Sequence, residues 1–506
     1  MTKPLTLAPA GPEPERRVDP PPIERWPAPW APLEVAFALG EDRTTDGTVT
    51  VQHWRGSWWE YRATHWVEIG EKIVRGWVYN RLRNGVYEKI QPDGGTEDVP
   101  WNPDRPKVGN ILDALGTAVA ALDDTTEPGT WLPTGETIPG VVSTPTGLFK
   151  VTTRQTSPAT PRMFTTWALP FDYDASAPEP SAWLAFLQSV WPDDPDTIAM
   201  VQEWLGYLVS GRTDQQKAML LVGPRRSGKG TILRVAQALV GKANTAAPTL
   251  QAMTSQFGLQ TCIGKALIAV GDARLAGGTN TATLVERLLS IVGEDALQVD
   301  VKYRDPWVGR LPGRVMIASN EVPDFRDASG AIGSRFLVAK MVTSFYDRED
   351  TELEGKLMAE LPGILRWALD GLDRLADQGR FTQSATSVEA REDMEESESP
   401  VAQFVDVACE VGPYTVPREV LYAVWLDWAA RNGYATTNIA TFGRQLRAAY
   451  ASVGRSQPTL GGRRVSCFSG IGLRESYTGT TDQFAPTQIK DGETQRAAVP
   501  HRVIGT

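Results

Sequence analysis

The chain has 506 residues, of which 41% are hydrophobic and 22% charged, and its formal net charge is −10. This length suggests about three domains, the composition is that of a globular protein, and no apolar run is long enough to span a bilayer. Three cysteines and three histidines are widely scattered, which disfavours a disulfide framework and a Cys/His zinc site. The acidic total disfavours a monomeric nucleic-acid binder, although a ring can confine basic side chains to its pore.

Residues 1–33 are Pro-rich and lack both periodic apolar positions and the apolar core of a signal peptide. We therefore expect this stretch to be disordered or loosely attached, and the chain to be cytoplasmic, in a reducing compartment. Residues 34–175 are expected to form an accessory or oligomerisation domain that combines helices and strands. Its stretch "HWRGSWWEYRATHWVEI" predicts two short strands, with the turn either at Gly56 and Ser57 or between Trp59 and Trp66. The tryptophans suit a packed core, and base stacking is the alternative.

The stretch "PWNPDRPKVGNILDALGTAVAAL" predicts a helix with an apolar stripe at Ile111, Leu112, Leu115, Val119 and Leu122. Two further helices are expected before an apolar strand at 218–222, and an α/β core then extends to about residue 345. The acidic run at 387–400 indicates a hinge or a helix end. Beyond it, helices precede a hairpin predicted around Gly461 and Gly462, and the tail from 479 to 506 is polar.

The stretch "LLVGPRRSGKGTIL" at residues 220–233 has the spacing of a phosphate-binding loop between a strand and a helix. Backbone N–H groups of such a loop can cradle a triphosphate, while Lys229 reaches its outer phosphates. Gly230 stands where a serine or threonine usually binds magnesium, so Thr231 is predicted to supply the hydroxyl. The arginines of the loop either touch phosphate or are simply solvated. The predicted nucleotide-binding residues are Gly223, Arg225, Arg226, Ser227, Gly228, Lys229, Gly230 and Thr231.

Polar residues follow three later segments of this region. Asp272 ends the apolar strand "ALIAV"; placed beside the first strand, its carboxylate would meet magnesium held by the phosphates. Asn320 ends "RVMIASN", where an amide can hold the attacking water or sense the γ-phosphate. Arg335 precedes another apolar strand and either acts on a neighbouring subunit's site or makes a surface salt bridge.

The ordered set "GPRRSGKGT", "ALIAVGDARL", "LLSIVGEDALQVDVKYRDPWVGRLP", "MIASNEVP" and "GAIGSRF" resembles a superfamily 3 DNA helicase of the phage/plasmid primase–helicase family, of the kind carried by actinobacterial phages and mobile elements. The resemblance covers residues from about 100 to 475. It implies an α/β fold with an AAA+ P-loop motor core and its preceding helical collar at 176–386, and a winged helix at 400–478. It also implies a homo-hexameric ring that translocates on single-stranded or forked DNA with ATP and Mg²⁺, in a bacterial cytoplasm.

The resemblance assigns roles to individual residues. Lys229 corresponds to the phosphate lysine, Asp272 to the magnesium-binding acid, Asn320 to the polar sensor and Arg335 to the finger that acts across the subunit interface. Many such motors carry two adjacent acids, whereas this chain has Gly271 before Asp272. The stretch from Leu297 to Leu311 corresponds to the DNA-contacting hairpin of the family, whose alternative is an ordinary exposed hairpin. Its candidate DNA contacts are Lys302, Tyr303 and Arg304, and Arg463 and Arg464 are candidate phosphate contacts or merely exposed turn residues.

Relatives in this family are often fused to a primase, which needs an Asp-x-Asp pair and a nearby histidine. The pair Asp194 and Asp196 has no histidine near it, so we expect no priming activity and a separate primase and DNA polymerase as partners. Two other functions remain open. One is an origin-binding initiator that uses ATP only to assemble, and the other is a P-loop nucleotide kinase, which lacks the expected arginine-rich lid here.

Overall fold

The computed structural model describes residues 24–273, 280–323, 325, 331–398, 400–434, 436–460, 463–477 and 489–490. None of the helices within these ranges has the length and apolar character that a bilayer-crossing segment needs. The chain divides into two compact units. The first comprises residues up to Tyr61 together with Val67–Thr126, and the second comprises Arg62–Trp66 and all residues from Glu127 onward.

Short helices and antiparallel strands make up the N-terminal third of the chain. They are α1 (Pro32–Asp42), β1 (Thr44–Thr45), β2 (Thr48–Val49), β3 (Val51–Trp54), β4 (Ser57–Arg62), β5 (His65–Ile69), α2 (Glu71–Leu82), β6 (Val86–Ile90), β7 (Thr96–Pro100), α3 (Arg105–Ala114) with a π-helical turn at Leu115–Val119, β8 (Thr130–Trp131), β9 (Glu136–Thr137), β10 (Val141–Ser143), β11 (Gly147–Lys150), β12 (Gln155–Pro158) and β13 (Met163–Phe164).

The aromatic stretch forms three strands, because both of the alternative turns exist. β3, β4 and β5 form one antiparallel sheet, with the first turn at Arg55 and Gly56 and the second directly after Arg62. Trp54, Trp58 and Trp66 are all buried. These tryptophans therefore contribute to protein cores, as their alternation with polar residues predicts.

Two expectations for the first unit need correction. Residues 24–33, expected to be loosely attached, are packed: Trp26 is buried and its N–H donates to the Val86 carbonyl at 2.8 Å. The helix predicted to extend to Leu122 ends earlier, because the backbone after Val119 pairs with a strand instead. His53 donates to the Ala120 carbonyl at 2.6 Å, and Leu122 donates to the His53 carbonyl at 3.0 Å.

The middle of the chain alternates helices with parallel strands. The elements are α4 (Ser181–Val190), α5 (Pro195–Val209), β14 (Ala218–Val222), α6 (Lys229–Val240), β15 (Thr245–Ala246), α7 (Leu250–Thr254), β16 (Leu267–Val270), α8 (Thr281–Gly293), β17 (Leu297–Val299), β18 (Trp307–Gly309), β19 (Arg314–Ser319), α9 (Ala331–Arg335), β20 (Phe336–Lys340), α10 (Leu353–Ala359) and α11 (Leu361–Gln378).

Five of these strands form one parallel sheet in the order β15-β16-β19-β14-β20. Side chains of a strand alternate between the two faces of its sheet, and β14 shows the consequence. Met219 and Leu221 lie in a core with α4, α5, α6 and α11, whereas Leu220 lies in a second core with α7 and α8. The architecture is therefore α/β, with helices covering both faces of a buried parallel sheet, as the sequence predicts.

The C-terminal elements are α12 (Ala385–Glu398), α13 (Pro400–Ala408), β21 (Cys409–Pro417), α14 (Arg418–Arg431), α15 (Ile439–Ala449), β22 (Gly454–Ser456), β23 (Thr459–Leu460), β24 (Arg463–Arg464), β25 (Cys467–Leu473) and β26 (Ile489–Lys490). The acidic run, expected to be a hinge or a helix end, forms most of α12 up to its last residue, Glu398. The remaining helices pack on a four-stranded antiparallel sheet in the order β22-β25-β21-β26 around a separate hydrophobic core.

α5 and α11 pack at unusually short range because each has a glycine at the crossing. A Cβ atom at Gly206 would lie 2.2 Å from the Ala368 carbonyl oxygen, and one at Gly371 would lie 2.7 Å from the carbonyl carbon of Gln202 and from the nitrogen of Glu203. Beside this contact, the fully buried Glu203 accepts from Arg374 at 2.7 Å and from Thr382. Its charge is thus paired and hydrogen-bonded, as a buried carboxylate requires.

We expect Gly206→Ala to lower the thermal midpoint, because the added methyl group overlaps backbone that cannot move cheaply; overpacking of this kind costs about 1–3 kcal/mol. Gly355→Ala in α10 is the matched control. Nothing lies within 4 Å of a Cβ there, so its better helix propensity should leave the midpoint unchanged or slightly raised. Differential scanning calorimetry checks both variants, and equal midpoints for the two would contradict the close-packing interpretation.

Candidate functional site

The glycine-rich loop at residues 223–228 leaves the carboxyl end of β14 and enters α6. Gly223 donates from its N–H to the Ser319 carbonyl at 3.2 Å, and a Cβ on Gly223 would lie 2.5 Å from the Met341 carbonyl oxygen. Gly228 has φ +98°, and a Cβ there would lie 2.8 Å from the Phe186 ring. Both ends of the loop therefore require glycine, one for close approach and the other for backbone conformation as well.

Lys229 is the first residue of α6, and its ammonium group folds back over the loop. It donates to the carbonyls of Gly223 at 2.6 Å and Pro224 at 2.7 Å, and lies 3.4 Å from the Ser227 hydroxyl. Partial burial lowers the pKa of Lys229 from its ordinary value, while the negative charge of Asp272 raises it. The lysine and the acid predicted to share a site are thus close enough to interact electrostatically.

The loop presents unused hydrogen-bond donors beside this ammonium group. The backbone N–H groups of residues 225–230 donate to no other described residue. The first N–H groups of any helix lack intrahelical partners. Here the N–H groups of the preceding loop are also unused, and both sets lie beside the ammonium group of Lys229. Several donors and a positive charge on one backbone segment suit a polyphosphate.

The segment after β20 clamps the loop, and sequence reasoning missed it. Met341 donates from its N–H to the Val222 carbonyl at 2.7 Å, and Phe345 donates to the Arg226 carbonyl at 2.9 Å. Ser344 donates its hydroxyl to the Arg225 carbonyl at 2.9 Å. These contacts join residues more than 110 positions apart, so no local sequence pattern could have indicated them.

The two arginines of the loop differ in their surroundings. Arg226 has φ +61° and forms an exposed ion pair with Glu349 at 3.3 Å. Arg225 is exposed. Ser227 is buried, and its hydroxyl lies 3.4 Å from the Met341 sulfur. The charge of Arg225 therefore has no carboxylate partner among the described residues. Arg226 would have to give up its ion pair with Glu349 in order to bind a phosphate.

Sheet order corrects the expected placement of Asp272. Its strand, β16, does not lie beside β14, because β19 lies between them. Ile317 of β19 pairs with Val270 on one side and Leu220 on the other. The carboxyl ends of all three parallel strands nevertheless lie at the same end of the sheet. Asp272 is therefore still close enough to raise the pKa of Lys229 electrostatically.

Asn320 lies at the same end of the sheet, next to the loop. It follows Ser319, which pairs with Val222, and Gly223 donates directly to the Ser319 carbonyl. Ser319 also fixes the start of the Asp272 segment, because its hydroxyl donates to the Ala273 carbonyl at 3.0 Å. β19 therefore places Asn320 between the loop and the acid in strand order, at the carboxyl ends of the strands, where ligands of open α/β sheets bind.

Thr231 lies one residue further into α6 than the usual position of the metal-binding hydroxyl, which turns its side chain by about 100° around the helix axis. Its Oγ1 lies 3.4 Å from an Arg234 guanidinium nitrogen, and Arg234 pairs with Glu354 at 3.0 Å. Hydroxyl and carboxylate oxygens are the ligands that Mg²⁺ prefers. Thr231 and Asp272 therefore fit the predicted metal chemically. Thr231 lies in the first turn of α6 and Asp272 follows the carboxyl end of β16.

Arg335 lies at the opposite end of the sheet, beside the amino ends of the strands. It ends α9 directly before β20, whose first residue Phe336 pairs with Ala218 at the start of β14. Its guanidinium donates to the Gln216 side chain at 2.5 Å. The five residues of β14 span roughly 15 Å, so Arg335 is separated from the loop of its own chain by the length of the strand.

The stretch from Leu297 to Leu311 contains the predicted hairpin. β17 and β18 pair from Leu297 with Gly309 to Val299 with Trp307. At the tip, Tyr303 has φ +62° and its side chain is completely exposed. Lys302 lies 5.6 Å from the centroid of the half-exposed Phe257 ring, in a cation–π arrangement, and Arg304 completes the tip.

Arg463 and Arg464 form the exposed strand β24, which pairs with Thr459 and Leu460 of β23. A hairpin therefore flanks the predicted turn, while Gly461 and Gly462 themselves lie outside the described residues. Asp194, half of the Asp-x-Asp pair, caps α5 by accepting from the Thr197 N–H at 3.0 Å. Its carboxylate has a local structural role.

Comparisons with known proteins identify a match in the sheet region and a distant similarity over most of the chain. A family model described as "Family of unknown function (DUF5906)" matches residues 221–335, from within β14 to the end of α9. Similar solved structures include "The A form apo structure of NrS-1 C terminal region-CTR", with 11% identity, a TM-score of 0.47, and coverage of 86% of this chain and 98% of that chain.

Two further structures of the same region are similar to this chain. "The apo structure of NrS-1 C terminal region (305-718)" has 11% identity and a TM-score of 0.46, and the match covers 87% of this chain and 99% of that chain. "The A form apo structure of NrS-1 C terminal region-CTR(305-718)" has 12% identity and a TM-score of 0.48, with coverage of 86% and 99%. Similarity at this level is too distant to assign a function.

Proposed function

We propose that this chain is an ATP-dependent DNA helicase of superfamily 3, in which an AAA+ P-loop motor assembles into a homo-hexameric ring on single-stranded DNA. The observation that carries the proposal is that the candidate residues lie at the two opposite ends of the parallel strands. Lys229, Asp272 and Asn320 meet at the carboxyl edge beside the glycine-rich loop, while Arg335 lies at the opposite edge. The positions agree with a nucleotide site that each subunit completes for its neighbour.

ATP is the proposed substrate, and Mg²⁺, when bound, would neutralise part of its phosphate charge. The amides of residues 225–230 bind and orient the phosphate oxygens, and Lys229 exchanges a carbonyl contact for a phosphate contact. Asp272 and Thr231 would hold the metal, and Asn320 would position the attacking water. Phosphoryl transfer depends mainly on such positioning and on charge stabilisation, which an arginine in trans strengthens.

The tip of the hairpin is the proposed contact with DNA. Its lysine and arginine can neutralise backbone phosphates, and a fully exposed tyrosine can stack on a base or sugar. Tyr303 lies at the tip of the hairpin and its side chain is completely exposed, so both faces of its ring are accessible for stacking. In a ring, six such tips would line the pore, which reconciles DNA binding with a net charge of −10.

We expect Lys229→Ala to reduce ATP hydrolysis by at least about a hundredfold, because it removes charge stabilisation from the site. Unwinding of a forked duplex should be lost with it. Lys242→Ala, an exposed lysine just beyond α6, is the matched control and should retain both activities. A phosphate-release assay and a strand-separation assay check this, and robust unwinding by Lys229→Ala would exclude the motor.

Shared sites predict complementation between two inactive variants. In mixed assemblies, an Arg335→Ala subunit contributes an intact Lys229, and a Lys229→Ala subunit contributes an intact Arg335, so some interfaces are complete. We expect partial recovery of ATP hydrolysis on mixing. The control replaces Lys229→Ala by the double variant lacking both residues, which should give none. Absence of recovery in assemblies shown by mass spectrometry to be mixed would contradict the role of Arg335 in trans.

Thr231→Ala tests the displaced hydroxyl. If Thr231 binds the metal, the magnesium concentration for half-maximal ATP hydrolysis should rise about tenfold, as for removal of other metal-site contacts. Thr231→Ser keeps the hydroxyl and should behave like the unaltered protein. A magnesium titration of ATPase activity compares the three proteins, and an unchanged midpoint for Thr231→Ala would show that the ligand lies elsewhere.

A further inference from the structure

The end of the loop between α5 and β14 contacts the chain around Arg335 through consecutive residues. The Gln216 side-chain oxygen accepts from the Arg335 guanidinium at 2.5 Å, and the Lys217 ammonium group donates to the Ser334 carbonyl. Ala218, the next residue, begins the pairing of β14 with β20. The end of α9 is therefore joined to the start of β14 by side chains as well as by the sheet.

The Gln216 side chain forms a bridge between two different parts of the structure. Its amide oxygen accepts from Arg335, and its amide nitrogen donates at 3.1 Å to the carbonyl of Gly293, the last residue of α8. A guanidinium only donates hydrogen bonds, and a carbonyl only accepts them. An amide offers both an acceptor and a donor, which an ionised glutamate or a methionine of similar length does not.

The backbone on both sides of this bridge is fixed by local hydrogen bonds. Gln216 has φ +50°, and its N–H donates to the Thr213 carbonyl at 2.9 Å. On the other side, Glu294 has φ +65°, and the Asp295 N–H donates to the Ser290 carbonyl at 3.0 Å, which closes the last turn of α8. The amide is therefore anchored at both ends, so it can hold the guanidinium in one place.

Arg335 keeps its charge and most of its hydrogen-bonding capacity in this arrangement. A guanidinium has several N–H donors, and one nitrogen of Arg335 bonds to the Gln216 amide oxygen. Within the ranges that the structure describes, the half-buried Arg335 side chain forms no ion pair with a carboxylate. Because the amide is neutral, it orients the positive charge without neutralising it and leaves it available for an anion.

We propose that Gln216 is a positioning residue for Arg335, holding its guanidinium between β14 and α8 so that it can act on the nucleotide of a neighbouring subunit. This inference rests on the proposed function, since only a shared site requires Arg335 to be held in place for an outside ligand. Gln216 itself touches no substrate and acts through Arg335. The glycine-rich loop of its own chain lies at the other end of β14.

Gln216→Met removes both hydrogen bonds and keeps a side chain of similar size. We expect kcat for ATP hydrolysis to fall about tenfold, because displacing a reacting group by even ~1 Å is costly. KM for ATP and the thermal midpoint should stay unchanged, since the loop and the core are intact. Gln215→Met is the matched control: the Gln215 side chain donates to Asp214, away from Arg335, and its loss should leave kcat unaltered.

Mixed assemblies identify the residue through which Gln216 acts. A Gln216→Met subunit has an intact Lys229, so mixing it with Lys229→Ala subunits should raise ATP hydrolysis above the sum of the separate activities. Mixing it with Arg335→Ala subunits should give no such gain, and Gln216→Met/Arg335→Ala should have the kcat of Arg335→Ala alone. A gain with Arg335→Ala and none with Lys229→Ala would show that Gln216 serves its own chain's loop, which would overturn the proposal.

Failure of the proposed function gives a different result from failure of this inference. If Lys229→Ala or Arg335→Ala retains full ATP hydrolysis, the shared site is absent and Gln216 has no finger to position. If both of those variants are inactive while Gln216→Met keeps the kcat of the unaltered protein, the shared site stands and the positioning role alone is overturned. Steady-state phosphate-release kinetics on the full-length proteins distinguish these outcomes.

Discussion

The parallel register of β14 against β19 is the constraint on which the candidate nucleotide site depends. It sets Val222 opposite Ser319, so the glycine-rich loop and Asn320 leave the sheet at the same level and are joined by the Gly223–Ser319 hydrogen bond. A slip of one residue would turn every side chain of a strand to the opposite face. β14 and β19 are buried on both faces, so such a slip would disrupt the packing on each side of the sheet. The fixed register therefore also fixes the start of the loop.

The loop itself is held from three sides by different parts of the chain. The ammonium group of Lys229 binds its carbonyls from within, the segment at 341–345 binds it from the strand β20, and Phe186 packs under Gly228. Its backbone is thus fixed before any ligand arrives, while the amide groups of residues 225–230 donate to no other described residue. A preorganised set of donors loses little entropy on binding an anion.

Charged residues are unevenly distributed along the chain. The acidic run of α12 and the arginine-rich segment after Asp427 both lie within the C-terminal quarter of the sequence. A protein of net charge −10 can in this way carry a local basic surface at the β17–β18 hairpin. Net charge describes solubility and long-range repulsion, and local distribution decides what a given surface can bind.

The sequence alone determined the local features of the protein. Alternation predicted the strands of the aromatic stretch, uninterrupted apolar runs predicted β14, β16 and β19, and the strand–loop–helix pattern predicted the position of Lys229, because each depends on residues close together in the chain. Tertiary structure decided that β19 lies between β14 and β16, that α3 ends before Leu122, that Met341 and Phe345 hold the loop, and that Arg335 lies at the far edge. These features depend on hydrogen bonds and packing between residues far apart in sequence, which no local pattern encodes.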